Sequence, residues 1–200
     1  MDGKNYTEKA AKRIFDAAVI KKISLNGREA FMDIQTIVLQ MRSNAQAIGT
    51  LVEGCSEEQA RWKPDAARWS VLEVVNHLLD EEREDFRPRI DAVLHRSGEA
   101  WAGIDPESWV VARGYNQREM EPSVHGFLTA REESLEWLLE LGDEDWTREY
   151  QAPFGTIRAG DLLAAWVAHD VLHMRQLVEL KYAYMAQAME PYAVKYAGDW

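Results

Sequence analysis

The chain has 200 residues, of which 46% are hydrophobic and 28% charged, values typical of one globular domain with a substantial core. Its net charge is −11, and the charge is unevenly distributed: residues 1–31 carry seven Lys and Arg against four Asp and Glu, and the remaining residues carry 16 Lys and Arg against 30 Asp and Glu. Because so acidic a surface repels phosphate, the main domain is not expected to bind nucleic acid. A single cysteine, Cys55, excludes an intrachain disulfide, and with no membrane-length apolar run or signal peptide we expect a cytoplasmic protein.

The N-terminal segment is predicted to be a basic helical arm, 1–27, ahead of the main domain. A helix over residues 6–22 places Ala11, Ile14, Phe15 and Ala18 on one face, and the sequence Ser-Leu-Asn-Gly that ends at residue 27 then breaks it. Either the arm packs at the edge of its own domain or it docks on an acidic partner subunit.

Four long amphipathic helices are predicted over residues 28–53, 70–95, 123–141 and 161–190, followed by a tail, 191–200. Ser56 is predicted to cap a short turn, and Ser70 with Glu73 forms a capping box at the start of the second long helix. Because no strand-like alternation is evident, the sequence predicts an all-α four-helix bundle over 28–190, with the arm as an extra N-terminal helix.

Two long connections leave room for a bundle topology other than simple up-and-down. Residues 96–121 contain Trp101, Trp109 and Tyr115. Since a connection of this length within a domain is usually functional or disordered, and aromatic residues favour order, we expect it to lie over the domain as a wall or lid near the histidine face of the last helix. Residues 143–160 are predicted to be irregular.

The last helix carries two histidines on an apolar face. At helical spacing one stripe contains Leu162, Trp166, His169, His173, Leu177, Leu180 and Tyr184. Imidazoles four residues apart can reach one ion, and Gln176 adds a polar group to the same face. Two such histidines are equally consistent with hydrogen-bonded core residues, so a metal site requires a third ligand from elsewhere.

His77, in the second helix, is the other histidine of interest. Its position lies well away from the apolar stripe of that helix, beside Glu73, Glu81 and Glu84, so periodicity indicates an exposed side chain. The first two turns are nevertheless apolar on most sides, which leaves open a wider buried arc.

Several motifs together resemble the DinB-like superfamily of bacterial four-helix-bundle proteins. They are WSVLEVVNHLLDEE, DPESWV, Tyr115-Asn116-x-Arg118, REESLEWLLEL, Phe154-Gly155-x-Ile157 and HDVLHMRQ, and the resemblance runs from about Phe31 to Leu180. It implies a three-histidine site for a divalent metal, usually zinc or nickel, formed by His77, His169 and His173. It further implies a thiol-dependent S-transferase, in which the metal activates a low-molecular-weight thiol such as bacillithiol or mycothiol toward a small-molecule substrate.

The implied site is chemically coherent. Three neutral imidazoles suit a borderline metal ion, and three protein ligands leave a coordination position open. Asp170, Glu73 and Glu81 are candidates to orient the rings, with surface or capping roles as the alternative, and Gln176 is a candidate donor to substrate or bound water. Four residues are expected to shape the substrate side: Trp109, Tyr115, Arg118 and Arg131.

Other functions stay open. The sequence H-D-x-x-H differs from the zinc-protease motif H-E-x-x-H by one methylene at Asp170, which disfavours peptide hydrolysis but leaves metal-assisted hydrolysis of a small molecule. A non-catalytic metal-binding or stress-response bundle is a second class, and pairing of helix faces makes a homodimer plausible. Cys55 has no evident histidine partner, and His95 and His125 are predicted to lie at the surface.

Overall fold

The computed structural model describes residues 33–96, 98–101 and 103–198. These residues contain seven α-helices, two short 3₁₀ helices and one β-hairpin. The predicted arm, 1–27, and the first residues of the predicted first helix lie outside the described residues. The elements are α1 (Ile34–Val52), α2 (Glu57–Arg61), α3 (Val71–Glu84), α4 (Phe86–His95), α5 (Pro106–Ala112), α6 (Met120–Glu140), β1 (Glu149–Ala152), β2 (Gly155–Arg158) and α7 (Ala159–Ala188).

Side-chain caps set where the helices begin. Asp33 accepts hydrogen bonds from the first-turn N–H groups of α1, and Ser56 accepts one from Gln59 at α2. At α3 the predicted capping box is confirmed, because Ser70 Oγ accepts from the Glu73 N–H at 3.1 Å and the Glu73 carboxylate accepts from the Ser70 N–H at 2.8 Å. The cap fixes the first turn of α3, and with it the direction in which His77 projects.

The predicted helix 70–95 is divided into α3 and α4 at Asp85, so the prediction of one continuous helix was wrong. Asp85 adopts φ −119° and ψ −84°, outside the helical region. Pro88 explains the break, since it has no N–H to donate to the carbonyl four residues earlier and its ring clashes with that carbonyl. Pro88 is tolerated in the first turn of α4, where that N–H has no helical partner.

The four-helix bundle is confirmed, and its topology is not simple up-and-down. Helix α1 packs against α6 and α7, and α3 packs against the same two helices, so the successive pairs α1/α3 and α6/α7 lie on the diagonals. One core cluster joins the C-terminal parts of α1 and α7 to the N-terminal parts of α3 and α6, and the other joins the opposite parts. Helices α1 and α7 therefore run in one direction, and α3, α4 and α6 in the other.

The connection between α4 and α6 must run the length of the bundle, because those helices end and begin at opposite ends. It is ordered, as predicted, by α5 and a 3₁₀ turn at Tyr115–Gln117, both packed on α3. Tyr115 is fully buried and donates to Asp80 at 2.5 Å. Arg113 forms ion pairs with Asp80 and Glu84. The connection is thus bound to the flank of α3.

A short antiparallel hairpin replaces the predicted irregular link before α7. Strands β1 and β2 pair Tyr150 with Ile157 across the ladder, and the ring of Tyr150 stacks on Trp101 with 4.1 Å between centroids. Gly155 takes φ 127°, a conformation that favours glycine, at the turn. The expectation of no strand was wrong, because strands of four residues place only two side chains on each face and give no readable alternation.

A charged network lies in the centre of the bundle. Arg131, 1% exposed, donates to both oxygens of Asp170 at 2.7 and 2.8 Å and to Glu82 at 2.7 Å. Asn44 also donates to Asp170, and the indole of Trp166 donates to Glu82. The network joins α1, α3, α6 and α7. Burial raises the pKa of Glu82, while the Arg131 guanidinium acts in the opposite direction.

The two histidines predicted at the surface lie there. His95, at the end of α4, contacts Asp91 and Glu144, and these carboxylates raise its pKa. His125 is exposed on α6. None of the helices in the described ranges is both long enough and apolar enough to cross a membrane.

Candidate metal centre

Helices α3 and α7, which pack side by side, bring His77, His169 and His173 together. His169 Nε2 lies 3.2 Å from His77 Nε2 and 3.0 Å from His173 Nε2. One nitrogen of each ring lies within 4.8 Å of the other two. Within residues 33–96, 98–101 and 103–198, no other three His, Cys, Asp or Glu side chains converge in this way. The three histidines implied by the family resemblance thus share one location.

His77 is buried, so the exposure indicated by helical periodicity was wrong. Its side chain is 5% exposed, and every residue from Val71 to Glu82 is buried. Periodicity assumes that a helix is covered on one side. Here α2, α5 and the 3₁₀ turn cover α3 on faces that α6 and α7 leave open.

The nitrogen separations match those of a metal-coordination shell. At a metal–nitrogen distance of about 2.0–2.1 Å, two tetrahedral ligand atoms lie roughly 3.3 Å apart and two at right angles about 2.9 Å. The two separations from His169 Nε2, 3.2 Å to His77 and 3.0 Å to His173, fall between these limits, and the third pair of nitrogens lies within 4.8 Å. These two separations and the three imidazole donors fit a divalent ion.

The ring protons offer a second test of that fit. Gln176 Oε1 lies 2.8 Å from His173 Nδ1, and because a carbonyl oxygen only accepts, the His173 proton lies on Nδ1 and its Nε2 presents a lone pair. His169 Nε2 can donate one proton or accept one, so its contacts with His77 and His173 cannot both be hydrogen bonds. A cation bound by all three lone pairs removes this conflict.

Burial keeps the three rings neutral. It lowers the pKa of His77 to about 3 and that of His169 to about 2, with the neighbouring imidazoles adding to the effect. Burial also lowers the pKa of His173, against the opposing hydrogen bond to Gln176. Neutral imidazole is the form that binds a metal ion, so the site is ready to do so at physiological pH.

One of the three predicted orienting carboxylates lies beside a ring. His77 Nδ1 is buried and has no hydrogen-bond partner within the described residues, and Glu81 Oε1 lies 3.8 Å from it. Burial, with a hydrogen bond to Asp85, raises the pKa of Glu81 to about 8. Glu73 instead caps α3 and pairs with Lys63.

The contacts observed bear on three other predicted roles. Asp170 binds Arg131 and Asn44 in the core, so it does not orient a histidine ring, and Arg131, expected on the substrate side, lies in the core. Gln176, a predicted donor to substrate or bound water, accepts from His173 through its oxygen and leaves its amide N–H₂ group free of partners among the described residues. The sequence contained one indication of the core network. Arg131 lies four residues after the buried Phe127, and Asp170 lies four residues after the buried Trp166.

An open cleft of about 760 Å³ borders the centre at His173. Its walls come from the segment before α3, from α5 and from the outer part of α7, and include Arg68, Trp69, Glu107, Leu172, Arg175 and Gln176. The Trp69 ring lies 4.8 Å from that of His77 and is stacked on that of His173 at 6.4 Å. Trp69 therefore covers the histidines on the cleft side.

Among the described residues of the long connection, Glu107 alone lines this cleft. Trp109, Tyr115 and Arg118, predicted to shape the substrate side, do not line it. Trp109 stacks under the Arg113 guanidinium, and Arg118 lies over the Tyr115 ring and donates to Asn76. These side chains hold the connection against α3, which turns them away from the cleft.

The family model described as the DinB superfamily matches residues 40–177. The chain belongs to the DinB superfamily. All three histidines of this DinB-superfamily protein lie within the matched residues.

Solved structures that share the fold include YfiT from Bacillus subtilis, described as a probable metal-dependent hydrolase with an unusual four-helix bundle topology. The two chains are 18% identical with a TM-score of 0.69, and the similarity covers 80% of this chain and 93% of YfiT. No curated protein matches the chain.

Proposed function

We propose that this DinB-superfamily protein binds a divalent metal ion, zinc or nickel, through His77, His169 and His173, and uses it to activate a low-molecular-weight thiol for transfer to a small-molecule electrophile. The observation that carries the proposal is the convergence of three neutral Nε2 atoms at a centre that meets an open cleft through His173. A site with three protein ligands and an accessible fourth position is typical of catalytic metal centres.

The donor set supports the choice of metal and of chemistry. Imidazole nitrogens suit zinc and nickel, and three neutral rings leave the ion's positive charge uncompensated. A divalent ion held there supplies Lewis-acid chemistry that lowers the pKa of a small nucleophile, a thiol or water, toward neutrality.

The protein's own residues have defined parts in this proposal. Gln176 keeps the His173 proton on Nδ1, so the Nε2 lone pair faces the centre. Glu81 is placed to accept from His77 Nδ1 after a shift of roughly 1 Å toward hydrogen-bond distance, as acidic groups beside metal-binding histidines commonly do. Trp69 limits the access of bulk water from the cleft.

Metal-assisted hydrolysis of a small molecule is the second candidate. It is favoured by the likeness to YfiT, which is described as a probable metal-dependent hydrolase. A mechanism like that of the H-E-x-x-H proteases is disfavoured here, because Asp170, at the position of the general base, is fully buried and bound by Arg131.

Elemental analysis of untagged protein tests the metal site. We expect near-stoichiometric zinc or nickel in the wild type, loss of the metal in His173→Ala, and full retention in His125→Ala, a control that removes an exposed histidine outside the cluster. A wild-type protein that takes up no divalent metal even after reconstitution would refute the proposal.

Ligand binding at the metal then separates the functions. In the cobalt-substituted protein a bound thiolate gives a charge-transfer band, which we expect on titration with small thiols; transfer to test electrophiles should follow. Hydrolysis of small esters or amides without added thiol would favour the second candidate. A centre that binds neither thiols nor small anions would be a structural site.

A homodimer and a cytoplasmic location stay predictions. Sedimentation equilibrium tests the first, and cell fractionation tests the second.

A further inference from the structure

We infer that Gln176 connects the metal centre with substrate binding. Its oxygen accepts from His173, and its amide N–H₂ group, together with the guanidinium groups of Arg175 and Arg68, binds a carboxylate. That carboxylate belongs to the molecule that occupies the open coordination position of the metal. This inference rests on the proposed function and names the class of substrate. It predicts a bifunctional ligand, with a metal-binding atom at one end and a carboxylate at the other.

The amide orientation of Gln176 follows from its contact with His173. Its Oε1 accepts from His173 Nδ1 at 2.8 Å, so the other end of the amide is the N–H₂ group. Gln176 lines the cleft together with His173, and its nitrogen has no hydrogen-bond partner among the described residues. A half-buried donor pair therefore faces the cleft without a hydrogen-bond partner among the described residues, although the carboxylates of Glu107 and Glu179 also line the cleft.

Two guanidinium groups line the same cleft with donors to spare. Arg175 pairs with Glu179 and Arg68 with Asp65, in each case through Nε, and no protein acceptor within the described ranges contacts their terminal nitrogens. Arginine and amide N–H groups are donors only, and the planar arginine fork matches a carboxylate. The free donors of these arginines and of the Gln176 amide suit an acceptor with two oxygens.

The distance from Gln176 to the metal position sets the length of the ligand. An ion bound at His173 Nε2 would lie on the opposite side of the ring from the Gln176 amide, and the two would be separated by roughly 6–7 Å at ordinary metal–nitrogen distances. The amide cannot reach the metal-bound atom itself. It can reach a group two or three bonds further along, as in a short mercapto acid.

Two substitutions of Gln176 separate its two contacts. Gln176→Glu keeps an oxygen acceptor for His173 Nδ1 but replaces the donor that faces the cleft with a carboxylate oxygen. Gln176→Leu removes both contacts. Gln187→Glu makes the same charge change at an exposed position further along α7 and serves as the control.

The assay titrates the cobalt-substituted full-length protein with azide and with three thiols that differ in their tails: 3-mercaptopropionate, 1-propanethiol and 2-mercaptoethylamine. We expect the wild type and Gln187→Glu to bind 3-mercaptopropionate at least about tenfold more tightly than 1-propanethiol, since a hydrogen bond to a charged group contributes about 1.5–3 kcal/mol. Gln176→Glu should keep its cobalt, lose that preference and favour 2-mercaptoethylamine. Gln176→Leu should lose the preference and bind cobalt more weakly.

The outcomes distinguish this inference from the proposed function. Failure of cobalt, azide and all three thiols to bind the wild type would overturn both. Binding of azide and thiols with no preference for the carboxylate tail would overturn the inference and leave the metal centre standing. An unchanged preference in cobalt-loaded Gln176→Glu would also overturn it.

Discussion

Replacing Arg131 by methionine removes the guanidinium that holds two buried carboxylates in the bundle core. Glu82 and Asp170 would keep their positions, but Asp170 would retain only the hydrogen bond from Asn44 and Glu82 only that from Trp166. Neither carboxylate is accessible to water, since Glu82 is 2% and Asp170 0% exposed. The substitution therefore leaves buried negative charge without a cation.

The expected loss is large for one substitution. Breaking a buried ion pair by removing one partner costs about 3–5 kcal/mol. Domains of this size have a free energy of unfolding of about 5–15 kcal/mol, so the variant loses a substantial part of it, and its Tm should fall by roughly 6–20 °C. Arg42→Met is the matched control, because Arg42 pairs with Glu132 at the surface and should contribute less than about 1 kcal/mol.

The loss should depend on pH. Arg131 lowers the pKa of Glu82 against the raising effect of burial, so its removal raises that pKa further above the ordinary value of 4.5. A carboxyl whose pKa is higher in the folded state binds more protons there, and stability falls as pH rises above the unfolded-state pKa. The cost of Arg131→Met should be greater at pH 8 than at pH 5.

Urea unfolding of metal-free protein measures these quantities without a contribution from a bound ion. Replacing Glu82, Arg131 and Asp170 together by apolar residues should recover much of the stability lost by Arg131→Met, because no buried charge is then left unpaired. A cost for Arg131→Met no greater than that of Arg42→Met would refute the reasoning.

Three further changes test other contacts. Glu81→Leu should weaken divalent-metal affinity about 10- to 100-fold by removing the acceptor beside His77, and calorimetric titration showing unchanged affinity would contradict this. Ser70→Ala removes the cap of α3 and should lower the free energy of urea unfolding by about 1–2 kcal/mol with no change in the slope. His95→Gln removes a histidine whose pKa is raised in the folded state, so the histidine stabilises the protein below the unfolded-state pKa of about 6.5. The variant should therefore have a lower free energy of unfolding than the wild type at pH 5.5, and this difference should disappear by pH 9. A difference that does not change with pH would contradict this prediction.

Local chemistry was readable from the sequence where one segment determines it. The capping box of Ser70 and Glu73 and the apolar stripe of the last helix depend on spacing within a helix, and both are present in the structure. The pairing of His169 with His173 has the same origin. The family resemblance added His77, which no periodicity could have joined to a helix 92 residues further on.

Features that depend on several segments were not readable. Whether Arg131 lies in the core or beside the substrate depends on the acceptors that α3 and α7 supply, and no pattern within α6 states this. Likewise, the connection after α4 contains the expected side chains, but the directions of Tyr115 and Arg118 depend on Asp80 and Asn76, which lie on a different helix. Trp69 lay within a motif that was recognised, yet only the packing of its ring shows that it covers the histidines.

The wide separation of the ligands along the chain bears on the order of events during folding. His77 and His169 are 92 residues apart, with α6 between them in the sequence, so their nitrogens meet only after the last helix has docked on α3. If that docking completes after the transition state, an ion that binds all three nitrogens stabilises the folded state and not the transition state. Its presence should therefore slow unfolding and leave the rate of folding nearly unchanged, which would make the bound ion a source of kinetic stability.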